Sequence, residues 1–154
     1  MQGRLTLRVR EADGRTVAER RARNIVLRQG ASIIAGLFAG AAGSSAITHV
    51  QVGFAKQTAT PEATALTPPP TPIAAEALRT SLTSDQFRIV ADQPAAVLVA
   101  IDALFRPTVE LQDVTEAGLM AGDKVYNQVV FEPVTLRPGQ NVTFFWEVEF
   151  PFGR

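Results

Sequence analysis

The side chains best equipped for chemistry are few and scattered along the chain. His49 is the single histidine and cysteine is absent, so a zinc site built from nitrogen and sulfur ligands lacks the ligands to close. As a general base His49 would need an activated serine, yet no Gly-x-Ser-x-Gly elbow is present to expose one. Asp113, Glu116 and Asp123 lie near enough in sequence to gather around calcium, without the spacing of an EF-hand loop. Fifteen acidic residues are enough for a glycosidase-like pair to form on folding, at a separation that only the fold fixes. Gly36 and Gly40 are not followed by Gly-Lys-Ser/Thr, which excludes a phosphate loop. The expectation is therefore no catalytic residue, no cofactor and no metal. His49 is read as a surface or interface hydrogen-bonding residue, and Asp102 as a hydrogen-bonded residue near a strand end.

The elements that carry these residues are mostly strands. Val142, Phe144, Trp146, Val148 and Phe150 recur at period two and alternate with Asn141, Thr143, Glu147 and Glu149, the pattern of a half-buried strand. These five form the expected structural core. Leu5, Leu7 and Val9 alternate likewise, Asp13-Gly14 supplies a tight turn, and Arg15 to Arg23 returns as an edge strand poor in apolar residues. Ile33, Ile34, Leu37 and Phe38 share one helical face, which places a short helix over Gln29 to Ala39 closed by Gly40. Strands are also predicted at Ile47 to Phe54, at Phe87 to Ala91, and at Ala95 to Phe105, the last buried on both faces. Between them, residues 55–77 hold half of the ten prolines, and Pro68, Pro69 and Pro70 favour an extended backbone. That segment reads as a projecting arm packing on a neighbouring subunit or as a mobile loop.

The order Val114-Thr115-Glu116-Ala117-Gly118-Leu119, then Val125 to Phe131, then Pro138-Gly139 and Thr143-Phe144-Phe145-Trp146-Glu147-Val148-Glu149-Phe150 resembles the closing module of small bacteriophage tail and tail-fibre-associated structural proteins. Asn24 to Leu27 and Ile47 to Gly53 extend the resemblance upstream. It implies a virion protein of the tail tip, baseplate or fibre-attachment region, assembled in the host bacterial cytoplasm and acting through self-association and docking to other virion proteins. A capsid-decorating protein and a receptor- or glycan-binding module are the alternatives.

With 154 residues the chain is read as one domain: a basic hairpin at 1–23, the proline-rich segment at 55–77 and a closing β module at 113–150. The fold class expected is mainly β, an antiparallel β-sandwich with one short α-helix and a proline-rich extended arm. The formal charge is zero, but through Gln29 eight arginines face three acidic residues, a balance of +5 that the remainder offsets. Either the arginines solvate a hairpin or basic and acidic surfaces meet between subunits. The arm lacks the aromatic residues that stack on bases, so nucleic acid is not an expected partner. No secretory signal and no membrane insertion are expected, because the apolar runs fall well short of about 20 residues. The candidate contact residues are Arg8, Arg10, Arg20, Arg21, Pro68, Pro69, Pro70, Phe152 and Arg154. Phe152 would fill a neighbour's pocket or fold back over its own core.

Overall fold

The computed structural model of the protein describes residues 2–153. Arg154 lies outside the described residues. The strands are β1 (Gln2–Arg10), β2 (Thr16–Val26), β3 (His49–Gly53), β4 (Arg79–Ser81), β5 (Phe87–Val90), β6 (Ala96–Phe105), β7 (Leu111–Ala121), β8 (Lys124–Val125), β9 (Asn127–Leu136) and β10 (Asn141–Pro151), with one α-helix, α1 (Arg28–Ala39). They form one sheet in the order β4-β3-β7-β9-β2-β1-β10-β6-β5, with β8 paired to β7. All pairings are antiparallel. The expectation of a mainly β, antiparallel domain with one helix holds.

The sheet curls, and β10 shows why. Its Val142, Phe144 and Trp146 are fully buried and Val148 nearly so, while Phe150 is half-buried. Each large side chain removed from water contributes roughly 1.5 to 3 kcal/mol. A flat sheet would leave that face wet. Instead β3, β7 and β9 swing over it, and one core joins Leu5, Leu7, Ile101 and Phe105 with Val50, Val52, Leu119 and Leu136. Phe105 and Phe144 meet edge to face with centroids 6.2 Å apart. At the open side of the curl, Thr80 on β4 donates from Oγ1 to the Leu104 carbonyl on β6, at 3.0 Å.

The corners of the curl depend on β2 and β9. Over Thr16 to Asn24 strand β2 has only β1 as a ladder partner, and it meets β9 at Ile25 and Val26 alone. The hairpin is thus not a free edge: β2 joins the two halves. Beside the gap, β9 bulges around Pro133, which has no N–H to offer a ladder. Arg20 fills this place, donating from Nε to Glu132 O at 2.9 Å and from Nη2 to Pro133 O at 2.8 Å. The closing module also differs from expectation. Strands β7 and β9 pair with each other, but β10 pairs with β1 and β6 in the other half. The Pro138-Gly139 turn, with Gly139 at φ 89°, therefore carries the chain across a corner instead of closing a hairpin.

The helix covers less than its pattern implies. Gly30 and Ile33 are buried, whereas Leu37 is 43% and Phe38 96% exposed. Only the first turns of α1 reach the sheet: Gln29 Oε1 accepts from Val125 N at 2.8 Å, and Gly30 sits against Tyr126. Gly40, at φ 62°, ends the helix in the left-handed conformation as predicted, its N–H bonded to Leu37 O. Strand β6 differs as well, since Asp102 and Leu104 on its second face are exposed.

A Cβ on Gly30 would fall 1.9 Å from the Tyr126 carbonyl oxygen. Helix propensity alone favours alanine over glycine by roughly 1 kcal/mol. Overpacking is expected to win, so Gly30→Ala should lower stability by about 1 to 3 kcal/mol in urea unfolding. A gain in stability would show that α1 is not held against Tyr126.

Candidate functional site

The residues singled out for chemistry are separated by the fold. His49 lies in β3 between β4 and β7. It is only 7% exposed, so the expectation of a surface residue is corrected. Both sides of β3 are covered, which leaves the imidazole a local partner: Thr48 Oγ1 stands 2.9 Å from Nδ1. Burial pushes the His49 pKa down, and the nearby Arg79 guanidinium adds to the effect. Asp102 is also corrected. It is exposed in the middle of β6, and its backbone carbonyl, not its carboxylate, accepts Gln86 Nε2 at 3.0 Å.

Asp113, Glu116 and Asp123 do not converge. Asp113 occupies an exposed bulge at φ 53°, Asp123 lies in the exposed turn before β8, and Glu116 is fully buried. Among the described residues no group of three or more histidine, cysteine, aspartate or glutamate side chains is placed to hold a metal ion.

Glu116 has a structural task that its sequence context did not reveal. Its carboxylate accepts from Gln128 Nε2 at 3.0 Å and from the Thr67 N–H, with both oxygens 3.3 Å from that nitrogen. Burial raises its pKa above the ordinary 4.5, against the opposing effect of these donors. The group it holds belongs to the proline-rich segment. Leu66 is buried with Leu27, Met120 and Val125, Phe54 N donates to Thr67 O at 3.0 Å, and Thr115 Oγ1 donates to Ala55 O at 2.7 Å. At the helix start, Arg28 N donates to Pro61 O and its guanidinium pairs with Glu62 at 2.8 Å. Thus 55–67 is bound to its own domain. Beyond it Pro68 and Pro70 are exposed and Pro69 half-buried, before Ile73 touches the main core.

The other contact candidates divide. Arg20 is half-buried at the seam, where it donates to Glu19 O, Glu132 O and Pro133 O. Arg8 and Arg21 both bond Glu19, at 3.0 and 2.8 Å, although the Arg21 side chain stays 73% exposed. Their hydrogen bonds hold the Glu19 carboxyl below its ordinary range, the Arg8 bond first. Arg10 is exposed. Phe152 is 51% exposed, although pairing continues past Pro151 through Phe152 N to Ala95 O at 3.0 Å. It does not fold back under its own core.

Two accessible features escaped the sequence. The end of α1 offers Leu37 and Phe38 to solvent, and edge strand β5 leaves Ile89 71% exposed. Helical periodicity had assigned Leu37 and Phe38 inward, and nothing local marks where a helix overruns its sheet. Shallow cavities of about 420 and 360 Å³ lie on the outward face of β1, β10 and β6, the second around Phe145 with Arg8, Arg10, Arg21 and Asp102. Among the described residues no helix is long and apolar enough to cross a membrane. No family model, no curated protein and no solved structure matches the chain.

The two buried titratable groups give opposite pH dependence. Glu116 has a raised folded pKa, so the folded chain takes up its proton first and gains stability as pH falls toward 4.5. His49 has a lowered one, so its contribution is complete above 6.5 and is lost as pH falls below that value. Urea unfolding of wild type and Glu116→Gln between pH 7.5 and 5 should show their difference moving in favour of wild type with acidity. A difference constant across that range would contradict the buried carboxylate.

Proposed function

We propose that this chain is a non-enzymatic structural protein of a bacteriophage virion, in the tail tip, baseplate or fibre-attachment region. It acts by self-association and by docking to other virion proteins, after assembly in the host bacterial cytoplasm. One observation carries this reading: large apolar side chains, Phe38 foremost with Leu37, Ile89 and Phe152, stand in solvent on a domain whose interior is otherwise sealed. Apolar side chains grouped at one end of a helix have the character of contact surfaces. In this reading the two halves of the curled sheet serve as the layers of a sandwich. The exposed prolines 68–70 form a short stiff arm whose lost N–H groups leave side-chain packing as its means of contact. The order of segments from Val114 to Phe150 supports the tail setting.

The test is capture of the purified chain by tail particles. Wild type should co-sediment with tails, and Phe38→Asp combined with Phe152→Asp should reduce the bound fraction at least tenfold with unchanged circular dichroism. Equal capture of both proteins would remove these side chains from the docking account, and failure of wild type to bind would remove the tail setting.

A further inference from the structure

The outward face of β2, β1, β10 and β6 carries its charges in two separated fields. Alternation fixes the rows. Arg21, Thr6, Phe145 and Asp102 lie side by side across the four strands, as do Arg23, Arg4, Glu147 and Ala100. On β1 and β2 this face presents Arg4, Arg8, Arg10, Arg21 and Arg23 against one acid, Glu19. Glu147, Glu149 and Asp102 occupy β10 and β6, and the acidic field they form is bounded by Arg88 on β5, in the row of Arg4 and Glu147, and by Arg106, which donates to Asn141 Oδ1 at the start of β10. The boundary runs along the strands between β1 and β10. Arg4 pairs with Glu147 across it, but Arg10, Arg23, Asp102 and Glu149 have no ion pair among the described residues. Apolar surface is present too: Phe145 is half-buried at the centre and Leu104 is 43% exposed.

We propose that a second copy of this chain packs on this face, across a two-fold axis lying in the interface and parallel to the strands between β1 and β10. The proposal rests on the self-association reading above and names the surface responsible. Such an axis leaves each row in place and exchanges the fields. β1 then faces the partner's β10, and β2 faces the partner's β6. Arg21 comes opposite the partner's Asp102, Arg4 opposite the partner's Glu147, and Thr6 opposite the partner's Phe145. An isologous contact requires one patch to complement itself, and a face divided into opposite fields along a straight line has that property. Four strands spaced about 4.8 Å apart and about 30 Å long offer roughly 580 Å², near the lower limit of about 600 Å² per partner for a stable interface.

Sedimentation velocity of the full chain, over a range of concentration and salt, tests this with Arg21→Asp, Asp102→Arg and their equimolar mixture. Both positions are exposed, and circular dichroism checks the fold of each variant. Wild type should be a dimer or an even multiple that weakens with salt. Each variant alone should dissociate with a Kd at least tenfold higher, and the mixture should recover association, because each chain then meets the sign it lacks. Variants that assemble as well as wild type would overturn this face and leave self-association standing. Dissociation without recovery in the mixture would overturn the proposed axis. A wild type that is monomeric throughout would overturn both the axis and self-association. Loss of tail capture by both variants, from a monomeric wild type, would assign the face to another virion protein instead.

Discussion

The burial of Val142, Phe144, Trp146 and Val148 is the constraint on which the rest of the molecule depends. Strand β10 has β1 and β6 as its neighbours, and their own inward residues, Leu5, Leu7, Ile101 and Ala103, need the same cover. No helix is available for the task, because α1 reaches the sheet only through its first turns. The cover must be more sheet. The chain supplies it by running β2 past its partner to meet β9 at two residues and by turning the corner from β9 to β10. Arg20 seals the seam, satisfying carbonyls that a bulged, proline-containing strand leaves without a ladder partner.

A second buried layer lies on the other side of β7. Glu116 points away from the main core, on the face of Met120 that residues 55–67 cover, where an unpaired carboxylate would be costly. Gln128 and the Thr67 N–H meet it, and in doing so they bind the first half of the proline-rich segment to the domain. The glycines around it are small for a reason, since a Cβ on Gly53 would stand 3.1 Å from the Glu116 carboxyl and one on Gly118 would stand 2.7 Å from the Asn127 carbonyl oxygen. The Glu-Ala-Gly segment is thus a packing unit.

Strands were legible wherever one face is dry and the other wet. β1 and β10 follow strict alternation, and the period-two rule needs no knowledge of partners. The turns at Gly14 and Gly40 were equally legible, because each requires a left-handed residue. Pairing was not. Which strand adjoins β10 is decided by distant segments, and a four-residue turn between β9 and β10 looks like a hairpin until the corner is seen. The same limit hid the candidate site. Leu37 and Phe38 obey helical periodicity yet have no sheet beneath them, and His49 is buried because β4 and β7 flank it. The basic character of residues 1–23 was plain, but only the register shows that those arginines lie beside the carboxylates of β10 and β6.

Together these features describe a chain that closes its inner face by itself, and in our proposal a second copy covers the outer one. Hydroxyl-radical footprinting across a concentration series tests that division most directly. Phe145 and Leu98 should lose reactivity as the chain associates, while Phe144 and Trp146 stay unreactive at every concentration. Phe145 labelled equally in dilute and concentrated protein, or Trp146 labelled in the folded chain, would contradict the account.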